Sequence, residues 1–265
     1  MRISLLMSEG EGFVGPGPSA FEYPAIFTFA GYEITKPVVQ LFFSVLLISL
    51  FFILVARRMQ LVPGKFQFAA ESVYFGIRNS IGRDVLGSHD FAKYVPLLVT
   101  LFTFIYLNNL FGIVPLIQFP TMARIAFPVA LAAIVWVVYN GAGIRRKGFA
   151  RYAKDVVYIP GLPAWIYPLL IPIEFVSNIL VRPLTLSLRL FANMFAGHLL
   201  LLVFILGGEY MLLESTELLP KLLSPFAFGM AIVMTFFEAL VQLLQAYIFT
   251  LLTALYIQGA LAEEH

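Results

Sequence analysis

The sequence predicts an all-α polytopic membrane protein with about five membrane segments and one amphipathic helix at the membrane surface. Of its 265 residues, 60% are hydrophobic and 12% are charged, whereas soluble domains average about 25% charged residues. Several apolar stretches approach the roughly 20 residues that a helix needs to cross the hydrocarbon core. The net charge of +2 says little about partners, and nothing indicates nucleic acid binding. The absence of cysteine excludes disulfides and thiol chemistry.

The first half of the chain combines an external arm, a span, a surface segment and a hairpin. Residues 1–37 predict an irregular arm outside the bilayer, because repeated glycines, prolines and glutamates interrupt them. Residues 38–58 predict the first span, an apolar run that ends in two arginines. Residues 66–92 carry too many charges to cross the bilayer, so they predict a helix on the membrane surface followed by a loop. The apolar stretches of 94–142 then predict a helical hairpin.

Two long helices complete the chain, and residues 38–265 are expected to form a single membrane domain. The first helix, 164–206, follows a proline-rich approach and carries Arg189, and the second covers 222–262. Helices of about 40 residues measure about 60 Å, roughly twice the hydrocarbon thickness. They are therefore expected to tilt steeply, break or project into water, and the polar residues 207–221 should form the loop between them.

Lysine and arginine predict the orientation, because cytoplasmic loops of membrane proteins are enriched in both. Basic residues collect in the loop after the first span and in the loop after the hairpin. We therefore expect the N-terminus outside and the C-terminus in the cytoplasm, with five spans. A separate span at 164–181 would reverse this parity, and the sequence leaves that alternative open.

Arg189 is the residue around which the other features are arranged, since it lies inside an apolar run that should be in lipid. An arginine side chain does not lose its proton in proteins. Placing that charge at the bilayer centre costs from roughly 3 to more than about 10 kcal/mol. Such a residue needs a partner, and by default it marks a functional site.

Polar side chains form two stripes beside this arginine. At about 100° per residue, the arginine-bearing helix places six of them within about 100° of arc, although Pro183 makes the phase uncertain: Glu174, Asn178, Arg182, Thr185, Arg189 and Asn193. The final helix places four within about 80°: Thr235, Glu238, Gln242 and Gln245. Because polar side chains avoid lipid, the stripes predict a buried aqueous or ion-bearing seam. His198 lies about 180° from Arg189 and should face a different neighbour.

Several of these residues keep a structural alternative. Arg182 can extend to the inner membrane interface or belong to the ion pathway, and Glu174 can pair with Arg182 or line the inner exit. Gln242 fits a hydrogen bond between helices. A lone His198 would fit a satisfied core histidine, but with Glu238 available the pair favours a proton relay. No metal site is indicated.

Two other classes of function lack their sequence signals. A secondary transporter that carries its own substrate usually shows an internal repeat, and none is visible. An intramembrane hydrolase would need a His-Glu-x-x-His motif or a nucleophile with its acid and base, and neither is present. We therefore expect no catalytic residue and no cofactor, while an ion-coupled secondary transporter stays as the alternative.

Three motifs match one known family. Residues 185–193 read Thr-Leu-Ser-Leu-Arg-Leu-Phe-Ala-Asn, close to a hallmark Ser-Leu-x-x-Arg-Leu-Phe-x-Asn. Residues 63–65, Pro-Gly-Lys, together with Gln67 match a cytoplasmic turn, and residues 245–249, Gln-Ala-Tyr-Ile-Phe, match a final helix. Through these motifs the chain resembles subunit a of the F-type rotary ATP synthases over most of residues 37–265.

The resemblance implies a non-catalytic, stationary ion-channel subunit in the bacterial inner membrane, without a cofactor. Its implied partners are the c-ring of rotor subunits, b-type peripheral stalk subunits, the other ATP synthase subunits and membrane lipid. Arg189 would face the carboxylate of the rotating c-ring, and Gln245 would lie opposite it. Asn193, His198 and Glu238 would line the half-channel that admits ions from outside.

The chain departs from the family pattern at two places. Some members carry the acid at the position of His198 and the histidine at that of Glu238, but the exchanged pair still supplies one carboxylate and one imidazole. In the hairpin, Asn109 matches a polar position, whereas Gly112 replaces a nearby family carboxylate. This departure from the family weakens the expectation of a carboxylate relay through the hairpin.

The resemblance also implies two offset half-channels, between which Arg189 is the counter-ion of the rotor carboxylate and a barrier to leakage. The imidazole of His198 and the carboxylate of Glu238 favour protons as the transported ion, because histidine titrates near neutral pH. A sodium-using version is the alternative, since the ion is selected largely on the rotor, which is a separate chain.

Overall fold

A computed structural model describes residues 13, 15–17, 21, 25–29, 32–114, 117, 119–158 and 165–262. This part of the chain is almost entirely helical, which confirms the predicted fold class. Five helical stretches are long and apolar enough to cross a membrane. In chain order the helices are α1 (Lys36–Arg57), α2 (Lys65–Ile77), α3 (Asp84–Leu110), α4 (Ala126–Lys147), α5 (Phe149–Val157), α6 (Tyr167–Val176), α7 (Arg182–Leu213) and α8 (Leu218–Leu261).

The predicted first span is present as α1. It begins at Lys36 with Pro37 in its first turn, where a backbone N–H would have no helical partner in any case. It ends at Arg57, and most of its apolar side chains are exposed, as expected for residues that face lipid. On its inner face Ser44 is fully buried, and its hydroxyl accepts a 2.9 Å hydrogen bond from Nδ2 of Asn108 in α3.

The arm before α1 contains two short strands where the sequence predicts irregular chain. β1 (Ala25–Phe29) pairs antiparallel with β2 (Tyr32–Thr35). Composition explains the correction, because β1 reads Ala-Ile-Phe-Thr-Phe, and aromatic and β-branched residues favour strands. Apart from a few isolated residues, the remainder of the predicted arm lies outside the described residues, as do 159–164 and 263–265.

A helix, α2, is present where the surface helix is predicted, but the segment expected to be a loop behind it is helical. α2 continues through a π-helical turn, Arg78–Arg83, directly into α3. The chain changes direction at Gly87, whose φ of +76° is a left-handed conformation that glycine adopts without steric cost. Ile77 and Ile81 are buried, so apolar packing holds this charged stretch in a helix.

The predicted hairpin is present as α3 and α4, with different boundaries. α3 ends at Leu110, and a short 3-10 turn, Thr121–Ala123, lies in the connection. α4 continues beyond the predicted end of the hairpin to Lys147. It ends at Gly148, whose φ of +82° fits the preference of helix C-termini for a left-handed glycine.

The arginine-bearing helix is continuous. α6 runs through a second π-helical turn, Ser177–Val181, into α7 without an intervening loop. Residues 167–213 therefore form one candidate span, and within the described chain 167–181 is continuous with it. α8 has 44 residues, about 66 Å at 1.5 Å per residue, so both final helices are long, as predicted.

The loop predicted between these helices is much shorter than expected. Both helices extend into 207–221, and residues 214–217 alone connect them. Packing explains the extension, because the buried hydroxyl of Ser224 donates a 2.9 Å hydrogen bond to the carbonyl of Gly208. The C-terminal end of α7 and the N-terminal end of α8 therefore pack side by side.

The core lies where α3, α4, α7 and α8 meet. Its innermost side chains are apolar and completely covered: Leu98, Ile105, Leu190, Phe249 and Ile257. α7 and α8 therefore present their remaining faces either to polar residues of the same bundle or to the surroundings of the protein.

Helix α5 packs back onto the C-terminal end of α4 through Tyr152. The ring of Tyr152 is buried against Gly143, where an added Cβ would overlap it. The Tyr152 hydroxyl donates a 3.0 Å hydrogen bond to Oδ1 of Asn140. Burial raises the pKa of Tyr152 to about 12, because the phenolate would lose its hydration. Lys147 adds a 2.9 Å ion pair with Asp155 at the same end.

Candidate functional site

Arg189 lies on an exposed side of α7. Leu186, Leu190 and Met194 are buried at intervals of four residues and pack this helix into the core, which turns Arg189 outward. Within the described residues the guanidinium has neither an ion pair nor a hydrogen bond. A cation at this depth in a span is costly without a partner. Arg189 is therefore available to a group outside this chain.

One helical turn beyond Arg189, a side-chain hydrogen bond ties α7 to α8. Nδ2 of Asn193 donates to Oε1 of Gln245 over 2.7 Å. Gln245 is buried, and its Nε2 has no protein partner among the described atoms. The structure thus brings three predicted site residues within one turn of each other at the contact between the two long helices.

His198 and Glu238 are both buried further along the same contact, at 6% and 5% exposure. The Glu238 carboxylate lies beside Gly197, where an added Cβ would be 3.6 Å from Oε1. Oε1 accepts a 3.3 Å hydrogen bond from Nε2 of Gln242. No direct bond joins His198 to Glu238 in the part of the chain that is described.

Several polar atoms in this region have no protein partner. They are Nδ1 of His198, Oε2 of Glu238, Oε1 of Gln242 and Nε2 of Gln245. Buried polar atoms are nearly always hydrogen-bonded in native proteins. Four such atoms along one helix contact are therefore available to hydrogen-bond with water. The last member of the predicted stripe, Thr235, instead donates to its own helix, to the carbonyl of Ala231.

The hairpin contributes a further buried amide. Asn109 of α3 is completely covered, and neither heteroatom of its side chain has a protein partner within the described chain. Gly112 follows it, and an added Cβ there would lie 3.0 Å from Cβ of Pro120. A carboxylate side chain at position 112 would therefore displace the turn, which is a physical reason for glycine at this position.

The predicted site residues around the π-helical turn between α6 and α7 divide into two groups. Asn178 is buried, and its Nδ2 donates 3.0 Å hydrogen bonds to Oε2 of Glu174 and to the carbonyl of Val156. Arg182 lies over the ring of Tyr256, 5.5 Å from its centroid. The alternative in which Glu174 pairs with Arg182 is not what the structure shows.

The predicted stripe from Glu174 to Asn193 is wrong as a single face. Asn178 turns into the bundle, whereas Thr185, Arg189 and Asn193 are exposed. The cause is the π-helical turn at 177–181, because its i→i+5 hydrogen bonds shift the phase of every residue before it relative to an unbroken α-helix. Such turns occur frequently at functional sites.

Sequence reasoning missed three residues that contact the predicted site residues directly or through one neighbour. The Tyr139 hydroxyl donates a 3.0 Å hydrogen bond to the carbonyl of Asn178. The ring of Phe21 meets the imidazole of His198 edge to face, and Arg124 donates to the carbonyl of Phe21. A signal existed for Tyr139, because a tyrosine in a span needs a partner for its hydroxyl. Arg124 is likewise a single charge between two apolar stretches. Phe21 carries no such signal.

The structure therefore combines an exposed arginine in a candidate membrane span with buried titratable and amide side chains where the last two helices meet. The chain is a polytopic membrane protein whose last two helices pack together along buried polar and titratable side chains. A family model described as ATP synthase A chain matches residues 38–258. The chain therefore belongs to the ATP synthase A chain family.

Relatives that carry the name ATP synthase subunit a align over nearly the whole chain. The protein from Nocardioides sp. (strain ATCC BAA-499 / JS614) is 50% identical over 269 residues, which cover 97% of this chain and 96% of the relative. The protein from Pseudarthrobacter chlorophenolicus is 45% identical over 267 residues, covering both chains completely. The protein from Streptomyces lividans is 41% identical and covers 97% and 91%. The predicted family resemblance is thereby confirmed.

Proposed function

We propose that this chain is the stationary, proton-translocating subunit of a rotary ATP synthase, with Arg189 as the counter-ion of a carboxylate on a rotating ring of partner subunits. The observation that carries the proposal is the state of Arg189, which is exposed within a span and unpaired in the described residues. Family membership supports the same role. The chain itself catalyses no reaction, and ATP is made elsewhere in the complex.

The chemistry of the counter-ion follows from solvation. A rotor carboxyl group that faces lipid has to be neutral, because a bare anion in hydrocarbon is too costly. Beside the guanidinium of Arg189 the anion is stabilised by the opposite charge, so the carboxyl group releases its proton there. When the ring moves on, the carboxylate takes up a proton before it re-enters lipid. Rotation is thereby coupled to proton transfer between two compartments.

Two offset half-channels are required, because one continuous channel would leak. We assign the outer one to the contact of α7 with α8, where His198, Glu238, Asn193 and Gln245 supply titratable and amide groups. Along α7 these positions begin about 6 Å from Arg189 and extend to about 13 Å. The unpartnered buried atoms of these residues support a hydrated route. The fixed charge of Arg189 repels a proton at its inner end.

The inner half-channel lies on the other side of Arg189. Thr185, exposed one turn before Arg189, borders this exit in our proposal, together with the half-buried Glu174. Asn178 has a structural role, because its hydrogen bonds connect α5 to the π-helical turn. Arg182 is held at this end by its contact with Tyr256.

The orientation and partners complete the proposal. The basic end of α4 faces the cytoplasm of a bacterial cell, so the N-terminus is outside and the C-terminus is inside. The rotor is a ring of c-type subunits that passes the exposed side of α7, and b-type peripheral stalk subunits hold the chain stationary. The titratable pair of His198 and Glu238 favours protons over sodium.

The test is ATP-driven proton pumping by the assembled complex in membrane vesicles. Arg189→Ala should abolish pumping while the complex still assembles, because the anionic rotor carboxylate loses its counter-ion. Arg145→Ala, which removes an exposed cation at the end of α4, is the matched control and should leave pumping intact. Coupled pumping in the Arg189→Ala complex would overturn the proposal. Pumping that requires sodium instead of protons would identify the sodium-using version.

A further inference from the structure

Phe21 is buried at the outer side of the seam although it belongs to the N-terminal arm. Its side chain is 5% exposed. Its ring centroid lies 4.7 Å from that of Phe195 and 5.7 Å from the imidazole of His198, which it meets edge to face. The ring of Phe119 stands 6.4 Å away on the hairpin side. An aromatic residue of the arm therefore covers the histidine of the seam.

Arg124 holds this part of the arm in place. Its Nη2 and Nε both donate to the backbone carbonyl of Phe21, over 3.0 and 3.2 Å. Its Nη1 donates to Oγ1 of Thr35, just before α1, over 3.4 Å. The guanidinium also lies 6.0 Å from the ring of Phe119. One planar cation thus joins the arm, the start of the first span and the hairpin turn.

We infer that the ring of Phe21 seals His198 from the side of the N-terminal arm and that Arg124 is the clamp of this seal. Both act as positioning residues for proton entry. Arg124 follows the turn between α3 and α4, at the end of the hairpin opposite to the basic residues of α4. A ring at this place closes the direct line between water on that side and the imidazole of His198. Protons then reach His198 around the ring instead of through an open mouth. This inference rests on the proposed function for its meaning, but its test does not require pumping.

The clamp and the seal can be separated experimentally, because Arg124 binds the backbone of Phe21 and not its ring. Phe21→Ala keeps the carbonyl that Arg124 binds and removes the ring. Arg124→Gln keeps the ring and removes the fork that positions it. Both changes should make position 198 more accessible to water, the first by removing the ring and the second by releasing it.

The absence of cysteine from the chain makes thiol labelling a clean measure of access. His198→Cys places a single reporter behind the seal, in the complete complex in sealed vesicles. A membrane-impermeant maleimide added on the arm side should label this reporter slowly, and about tenfold faster when Phe21→Ala or Arg124→Gln is added, because thiol reactivity follows exposure. Phe21→Tyr, which retains the ring, should restore slow labelling.

The matched control removes another aromatic side chain from the same arm. Phe13 is 39% exposed and contacts Tyr210, 5.6 Å away near the outer end of α7. Phe13→Ala should leave the labelling rate of the reporter unchanged. Equal rates with and without Phe21, or equal acceleration by Phe13→Ala, would overturn the seal. If Phe21→Ala fails to assemble, Arg124→Gln decides by the same criterion.

The outcome is independent of the test of Arg189. Labelling reports access to position 198 from one side of the membrane, whether or not protons are pumped. If labelling does not depend on Phe21 while pumping still requires Arg189, the seal is wrong and the proposed function stands. Pumping in Arg189→Ala with a working seal removes the proposed function alone.

Discussion

The amide of Asn193 donates to the side-chain oxygen of Gln245 over 2.7 Å, and this bond fixes α8 against α7 one turn from Arg189. The acceptor is buried, while the amide nitrogen of Gln245 is left without a protein partner in the described chain. The same glutamine can therefore hold the helix contact through its oxygen while its nitrogen donates a hydrogen bond to water.

Removing this bond should lower stability, because it leaves a buried acceptor unpaired. Asn193→Ala should cost about 1–3 kcal/mol, and Gln245→Ala a similar amount. The double variant should cost less than the sum of the two, since both remove the same bond. Thermal unfolding of the purified chain measures the three losses.

The hydrogen bond between Ser224 and Gly208 provides a control for the comparison of single and double variants. Ser224→Ala breaks this bond near the N-terminal end of α8, far from Asn193 in sequence. Its cost should add to that of Asn193→Ala, because distant sites with no shared partner are independent. Additive losses for Asn193→Ala and Gln245→Ala would contradict the assigned bond.

Glu238 should matter for its proton and not for its volume. Glu238→Gln keeps the size of the side chain and an oxygen for the Gln242 amide, but cannot exchange a proton. ATP-driven proton pumping should fall by about tenfold or more, while the amount of assembled complex stays the same. Thr235→Ala on the same predicted stripe should have little effect, because the Thr235 hydroxyl bonds only to its own helix among the described residues. Unchanged pumping in Glu238→Gln would remove Glu238 from the route.

The spans and Arg189 could be predicted from sequence because their signals are local. Length and apolar composition identify a membrane helix without reference to its neighbours, and a charge within such a run stands out by its cost. The contact between α7 and α8 was also predictable in part, since Asn193 on α7 and the stripe from Glu238 to Gln245 on α8 are polar positions in otherwise apolar helices. The partner of each polar atom was not, because it depends on side-chain rotamers at the contact.

The failures have a different physical origin. A π-helical turn at 177–181 shifts the phase of the helix, so Asn178 and Arg189 leave their common face. Pro183 follows this turn and cannot donate a helical hydrogen bond, so the sequence signals a disturbed phase without giving its size or direction. The cover over His198 is also non-local, because Arg124 of the hairpin binds the backbone of Phe21, whose ring meets the imidazole of His198. Helical periodicity describes one helix at a time and contains no information on such contacts.

Gly143 should be intolerant of a side chain, because Tyr152 occupies the space that its Cβ would take. Gly143→Ala should destabilise the protein by about 1–3 kcal/mol through overpacking. Combining it with Tyr152→Ala should remove that penalty, since the added methyl group then has room. Gly141→Ala, two residues away with no atom within 4 Å of an added Cβ, is the matched control. Equal stability of the Gly143→Ala and Gly141→Ala variants would contradict the packing of α5 on α4.

Tyr152 should stay protonated to unusually high pH, since burial raises its pKa to about 12. An unfolded tyrosine titrates near pH 10, so above that value the unfolded chain loses a proton that the native chain retains. The contribution of this phenol to stability is therefore present below about pH 10 and is lost as the pH rises through about 12. Subtracting the phenolate absorbance of Tyr152→Phe from that of the wild type over a pH titration should isolate the ionisation of Tyr152, with a midpoint near pH 12. This high-pH transition should remain in the Tyr158→Phe variant. A difference midpoint near pH 10 would mean that Tyr152 is not buried against Gly143.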